Sequence, residues 1–393
     1  MKVASVGGGA AGAFCAVLLK WMAPAFEVDV YEAASRPMKK LALTGGGRCN
    51  ISNSFESLRS LSEAYPRGER LMSRALKEFS VRDTLAWFEG EGVRFVLQDD
   101  HCWFPESQDA MEIVGCLEKA MARSGVRVHC GARLKDLRPS WELHFEDGKS
   151  AGADAVLVTT GGAPKGITFL SGLELEMVPP VPSLFTFRVR ESGLNELMGL
   201  VQEAELSIPG TKFRAGGPLL LTDWGLSGPA ALRLSSYAAR YLAEHSYKAP
   251  LSINWLPGED VPALLAAHQV NNSKKLISNG LISRRLWDYL CRRAGLREDM
   301  RWGECGRKGL NKLAAVLTQD GYSIDGRAEF REEFVTCGGV DLKEINPATM
   351  ESRKYPGLFF AVEVLDIDAI TGGFNLQAAW STAALAAKAL SQL

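Results

Sequence analysis

Three glycine-rich strings and two strand-ending acids carry the residue types that could do chemistry in this 393-residue chain. Gly7-Gly8-Gly9-Ala10-Ala11-Gly12 follows a short apolar run at 2–6 and opens an Ala/Leu-rich run to Trp21. In a strand–turn–helix setting each glycine has a task. Gly7 permits the tight turn, Gly9 lets the backbone approach a diphosphate, and Gly12 lets the helix pack closely on the sheet. The helix start, with Ala10 and Ala11, offers free N–H groups and a positive dipole end. Glu32 closes a second apolar run at 28–31, where a carboxylate can accept both hydroxyls of a ribose. An acid there, rather than an arginine, argues against a 2′-phosphate. The spacing predicts dinucleotide binding; a glycine-rich turn in an unrelated α/β fold is the alternative.

The second string is Thr44-Gly45-Gly46-Gly47-Arg48-Cys49-Asn50, preceded by Lys39-Lys40. Three consecutive glycines suit neither helix nor strand, because glycine loses the most backbone entropy on ordering. They suit a backbone laid against a flat ligand. Arg48 could offset charge on that ligand, and Asn50 could bond a ring edge. A flexible surface loop is the competing reading. Cys49 is read as a small buried hydrophobe rather than a nucleophile. The third string, Thr371-Gly372-Gly373-Phe374-Asn375-Leu376-Gln377, opens a C-terminal Ala-rich helix shortly after Glu363, which closes the apolar run 358–362. An acid there can accept hydroxyls of a polyol chain, and the Gly-Gly helix start can aim N–H groups at a ring edge where negative charge builds on reduction. A capped, buried helix is the structural alternative. Thr160-Gly161-Gly162 ends another apolar run and lets the chain pass close to a ligand at the sheet edge.

The elements needed to position these residues are legible. The pattern predicts strands at 2–6, 28–31, 126–130, 154–159 and 358–362 in one main sheet. It predicts helices at 10–21, 68–77, 81–90, 110–124 and 375–390, and hairpins at 93–104 and 134–146, the latter with a turn at Asp147-Gly148. After Pro179-Pro180-Val181-Pro182 the chain reads as short alternating strands, then as helices with basic, exposed faces at Arg284, Arg285, Arg292 and Arg293. The expected organisation is a first cofactor-domain part at 1–182, an inserted β domain at 183–258, and a helical insert at 259–320. A return strand at 321–335 and the second cofactor-domain part at 336–393 complete it.

Composition excludes several classes. Net charge is −1, from 45 Lys+Arg against 46 Asp+Glu, so no global field draws nucleic acid or an anionic membrane. No apolar run reaches membrane-span length and no signal peptide is expected. The eight cysteines form no C-x-x-C pair, and the five histidines (His101, His129, His144, His245 and His268) show no metal spacing. We expect a cytoplasmic protein with reduced thiols, no metal and no membrane partner.

Together these stretches resemble one family, the BaiN-like flavoproteins, also known as aminoacetone-oxidase-like or NAD(P)/FAD-dependent oxidoreductases. The resemblance spans essentially the whole chain. It is carried by the three strings, by Phe104-Pro105-Glu106-Ser107, by Gly225-Leu226-Ser227-Gly228-Pro229, by Gly338-Gly339-Val340 and by Glu344-Ile345-Asn346-Pro347. It implies an α/β fold, with a discontinuous FAD-binding, Rossmann-like domain of the glutathione-reductase type and inserted β-barrel-like and small helical domains. It implies FAD contacts at Gly7, Gly9, Ala10, Ala11, Gly12, Glu32, Lys40, Gly47, Arg48, Asn50, Thr160, Gly161, Glu363, Gly373, Phe374, Asn375 and Gln377. It further implies hydride transfer through flavin N5 on a small molecule, beneath the inserted domain, with NAD(P)H as a transient reductant. Three departures from the family pattern stand out: Val362 in place of Gly, Ala369-Ile370 in place of a Gly-aromatic pair, and Asp223 in place of His. The last removes a proton donor, so no catalytic acid or base is assigned. The alternative from another class is a non-catalytic or nucleic-acid-linked flavoprotein, in which a basic segment at 274–307 contacts RNA. A solvated helical face explains that segment more simply.

Overall fold

The computed structural model describes residues 1–269, 281–297, 299–328 and 335–393. Two residues of the basic segment, Lys274 and Lys275, lie outside these. The chain divides into two compact units, Met1–Val181 with Phe334–Leu393, and Pro182–Glu333.

The first unit is built on a five-stranded parallel sheet. Its strands are β1 (Lys2–Val6), β2 (Glu27–Glu32), β3 (Arg127–Cys130), β4 (Ala155–Val158) and β5 (Leu358–Phe360), in spatial order β5-β4-β1-β2-β3. Strand β4 is buried at all four positions, as expected of a parallel strand covered on both faces. The register aligns Val6 with Tyr31 and with Val158, and Val158 with Phe360. The strands therefore end level. Gly7, Glu32, Thr159 and the 361–363 segment all emerge at one carboxyl edge.

Helix α1 (Ala10–Met22) is buried without a break from Ala11 to Leu19. A helix apolar all round needs partners on every side. It finds the sheet on one side and α3 (Phe374–Leu390) on another, where Phe14 meets Trp380 edge-on at 5.3 Å. Helix α2 (Ala110–Arg123) also packs on α1. The expected 134–146 hairpin is a three-stranded meander. The turn at Asp147-Gly148 leads into a further strand, Ser150–Gly152, too short and polar to stand out in the sequence.

The second unit is an antiparallel sheet of six strands. Their order is Phe187–Arg188, Gly225–Ser227, Arg214–Leu221, Val201–Ser207, Lys248–Asn254 and Asp320–Asp325. Its two ends are joined: Phe187 bridges Arg327, and the Arg188 N–H donates to Gly326 O at 2.9 Å, giving a near-barrel. Helices Gly228–Tyr237, Arg284–Arg293 and Gly306–Gln319 share its core through Leu234, Trp287, Leu313 and Leu317. Arg293 is not on an exposed basic face. It lies over the Tyr322 ring at 4.6 Å and pairs at 2.8 Å with the buried Asp320, which also accepts from Trp255 Nε1.

Candidate functional site

At the β1–α1 turn the three glycines divide the work as their spacing predicts. Gly7 has φ 109°, and a Cβ there would stand 2.5 Å from Thr159 O. A Cβ on Gly12 would stand 2.0 Å from Gly7 O and 2.6 Å from Thr159 Oγ1, so α1 is seated directly on the turn. At Gly9, no atom lies within 4 Å of where a Cβ would be. The turn opens outward there, and a side chain would fill the space that a diphosphate needs beside the first N–H groups of the helix, those of Ala10 and Ala11. Thr159, which the sequence reading passed over for Thr160, ties the turn together. Its hydroxyl donates to Gly7 O at 2.8 Å, whereas the Thr160 hydroxyl lies 3.5 Å from Gly161 O. Both Glu32 oxygens accept backbone N–H groups, from Gly8 at 2.8 Å and Ala34 at 2.7 Å. The carboxylate is thus fixed at the end of β2, each oxygen with a lone pair to spare.

Along the same edge Lys40, Gly161 and Glu363 converge. Lys40 Nζ is 4.0 Å from Glu363 Oε2, and a Cβ on Gly161 would stand 3.7 Å from that oxygen and 3.8 Å from Lys40 Nζ. Glu363 Oε1 accepts the Thr336 N–H at 2.7 Å. Burial pushes the Glu363 carboxyl above the usual carboxylate range; the Lys40 ammonium and the Thr336 N–H oppose this, and the Asp368 charge adds to it. A largely sheltered carboxyl beside an exposed ammonium (62%) suits a polyol chain, which can donate to one and accept from the other. Thr336 was not foreseen. Its only signal is its place at the head of the Thr336-Cys337-Gly338-Gly339 string.

The 44–50 string is a single tight turn with left-handed glycines, φ 58° at Gly45, 68° at Gly46 and 85° at Gly47. Gly45 packs inward, where a Cβ would stand 2.9 Å from Asn50 N and 3.2 Å from the Phe104 ring. At Gly46 and Gly47 no atom lies within 4 Å of where a Cβ would be, so the backbone is bare on that side. Arg48 lies over the Phe104 ring at 4.4 Å, with Nη1 3.4 Å from Gln98 Oε1 and 3.3 Å from Gln108 Oε1. The two glutamines come from a hairpin and a loop about fifty and sixty residues downstream, and no sequence signal marks them. Cys49 is fully buried and its thiol is pushed up to about 12 by burial, which leaves it no nucleophilic role at neutral pH. The string meets the start of α3. Gly373 has φ 86°, and a Cβ there would stand 2.3 Å from Ser52 O and 3.0 Å from Asn50 O.

The side chains of three residues expected to meet a ligand at that helix start are engaged within the protein. Gln377 is fully buried. Its Oε1 accepts from Ser52 Oγ at 2.6 Å, and its Nε2 donates to Thr84 Oγ1 at 2.9 Å and Ser381 Oγ at 3.0 Å. It stands one turn into α3 on the core face. Asn375 folds back on the preceding segment, accepting from Ala369 N at 2.9 Å and donating to Ala369 O at 3.0 Å. The Phe374 ring is buried against Phe55 at 4.9 Å, and its carbonyl accepts from Tyr65 Oη. What α3 still offers a ligand is the N–H groups of its first turn, which have no partner within the helix. The approach to α3 is held by a buried ion pair between Arg67 and Asp368.

Residues 1–389 of the chain match a known family, described as the HI0933-like protein Rossmann domain. The chain belongs to this family. It is the flavoprotein family that the glycine strings resemble. Among its relatives, a 3-dehydro-bile acid delta(4,6)-reductase of Clostridium scindens is 25% identical over 410 residues, covering 100% of this chain and 99% of that protein. A ribosomal RNA dihydrouridine synthase of Escherichia coli is 29% identical over 398 residues, covering 96% of this chain and 95% of that protein. Among solved structures, the 3-ketosteroid-delta4-(5alpha)-dehydrogenase of Rhodococcus jostii superposes with a TM-score of 0.53 at 13% identity, covering 100% of this chain and 96% of that one. That likeness is one of fold.

Proposed function

We propose that this family member is an FAD-dependent reductase of a carbon–carbon double bond conjugated to a carbonyl group, with NAD(P)H as the reductant. The observation that carries the reading is the division of the carboxyl edge into three matched parts. The opened Gly9 turn with Glu32 suits an adenosine diphosphate. The Lys40–Gly161–Glu363 group suits a ribityl chain. The bare Gly46-Gly47 backbone, in the string whose Asn50 O borders Gly373 at the start of α3, suits a flat ring system. FAD, when bound, supplies hydride transfer between a reductant and a carbon acceptor. The chain's own contribution is placement and charge. The α3 first turn offers N–H groups to negative charge on a ring. Arg48, held over Phe104 by weak contacts of 3.3–3.4 Å, can turn its guanidinium to a carbonyl oxygen and stabilise the charge that builds there.

The reaction class is supported by the two relatives' names. A delta(4,6)-reductase of a 3-dehydro-bile acid and a dihydrouridine synthase both imply saturation of a carbon–carbon double bond conjugated to a carbonyl. The test is to identify the flavin released on heating, bleach it anaerobically with NADH or NADPH, and follow its re-oxidation. The acceptors should be a 3-oxo-4-ene steroid, uridine and a uridine-containing RNA, with an amine and an isolated alkene as controls. The proposal expects FAD and re-oxidation by at least one conjugated carbonyl. Protein without flavin, or re-oxidation by the controls alone, overturns it.

A further inference from the structure

Residues 361–373 join β5 to α3 within the first unit without forming a helix or a strand, yet most of them are buried. Irregular backbone inside a protein must find partners for its N–H and C=O groups. This segment finds them on two flanks. On one, Val364 O accepts the Val340 N–H at 2.9 Å, the Asp366 N–H donates to Val340 O at 3.0 Å, and the Asp366 carboxylate accepts the Gly338 N–H at 3.0 Å. On the other it runs antiparallel to residues 64–68. The Ile370 N–H donates to Ala64 O at 2.9 Å, Tyr65 Oη donates to Phe374 O at 2.9 Å, Arg67 bridges Asp368, and a Cβ on Gly68 would stand 2.5 Å from Ile367 Cγ1. The segment carries Glu363 near one end and Gly373, where α3 begins, at the other. Its register therefore sets the spacing between the polyol-facing acid and the helix N–H groups.

A charged pair is set into this packing. Arg67 donates through Nε and Nη2 to the two oxygens of Asp368, and the side chains are 12% and 0% exposed. Stability alone does not account for it, because a buried ion pair returns about what its desolvation costs and apolar residues of similar size do as well. What the pair adds is register. Apolar neighbours tolerate a slip, whereas a forked guanidinium–carboxylate contact would leave two buried charges stranded. We propose that Arg67 is a positioning residue: by gripping Asp368 it holds residues 366–373 in the register that aims the first-turn N–H groups of α3 at the flavin ring, and so sets how much more tightly the site holds reduced than oxidised FAD. The inference rests on the reading of that helix start as the flavin end of a cofactor site, and not on the substrate. A flavin ring gains negative charge on reduction, and N–H groups already in place stabilise that charge without reorganisation. A small displacement of the helix start weakens the hold on the reduced form more than on the oxidised one.

The test compares the full-length wild type with R67K, which keeps the charge but not the fork, and with R67M/D368L, which replaces the pair by apolar groups. Three quantities are read for each: thermal unfolding without flavin, FAD affinity by fluorescence, and the two-electron reduction potential of the bound flavin by dye-coupled titration. The double variant leaves no buried charge unpaired and should unfold near the wild-type temperature without flavin. It should bind oxidised FAD more weakly, and the ratio of its affinities for reduced and oxidised FAD should fall about tenfold, which makes the potential about 30 mV more negative. R67K should fall between the double variant and the wild type. A double variant with the wild-type potential overturns the proposal, whatever its stability, because a pair that only holds the fold would move the unfolding temperature and leave the potential alone. R67K shifted as far as the double variant overturns it too. The potential is measured without NAD(P)H or a carbonyl acceptor, so failure of the reductase reading does not touch it. Wild-type protein that takes up no FAD overturns the cofactor reading and this inference together, whereas an unshifted potential in the double variant overturns this inference alone.

Discussion

Gly9→Ala and Gly12→Ala, three residues apart in one turn, should fail in opposite ways. At Gly12 the added methyl would stand 2.0 Å from Gly7 O, a backbone atom that cannot swing aside, and 2.6 Å from Thr159 Oγ1. Overpacking costs about 1–3 kcal/mol, and contact with fixed backbone puts this case near the upper end. In a unit of this size that lowers the midpoint of unfolding by roughly 6–12 °C, with or without cofactor. At Gly9 the backbone is extended, φ −77° and ψ −168°, a conformation alanine adopts without strain, and nothing lies within 4 Å. The flavin-free protein should therefore unfold at the wild-type temperature or slightly above it. Its methyl instead enters the space given to a diphosphate. If that overlap costs about 1–3 kcal/mol, FAD affinity falls about 5- to 150-fold, and the added stability that saturating FAD confers shrinks accordingly. The assay is thermal unfolding of flavin-stripped and FAD-saturated protein, with FAD titrated by its fluorescence. A Gly9→Ala variant as destabilised as Gly12→Ala without cofactor, yet with wild-type FAD affinity, would refute the reasoning.

Glu363 makes a pH prediction. Its folded-state pKa is raised by burial, so its contribution to stability is complete below the ordinary glutamate value of about 4.3 and is lost as pH rises through the raised value. In denaturant titrations of flavin-free protein, Glu363→Gln should remove that decline, and identical pH profiles would count against it. Gln377→Ala should take the 2.6 Å partner of the Ser52 hydroxyl and leave Thr84 and Ser381 donating only to Ser80 O and Phe79 O, at a cost of about 1–3 kcal/mol, while FAD affinity of the folded fraction is unchanged. A selective loss of FAD affinity would restore Gln377 as a ligand contact. Among the eight cysteines Cys130 alone is exposed, so brief alkylation of native protein followed by mass mapping should label Cys130 and spare Cys49. Rapid labelling of Cys49 would contradict its burial.

Whatever depends on a residue's own backbone was legible in the sequence. Gly7, Gly9 and Gly12 announce a turn because each is required by φ or by the absence of a Cβ. Runs such as Ala155–Val158 announce a covered parallel strand because every position is apolar. The parallel sheet and the dinucleotide turn follow from such local constraints. Which side chains face the site does not, because that depends on partners far along the chain. Asn375 and Gln377 share a string with Gly373, but one closes on Ala369 and the other on Ser52, 325 residues away. Thr336 reaches Glu363 only once the 361–363 segment emerges beside β4. The basic segment reads as one charged face in sequence. Only tertiary packing, by pairing Arg293 with a buried Asp320 while Arg307 stays exposed with no carboxylate within 4.0 Å among the described residues, told these cations apart.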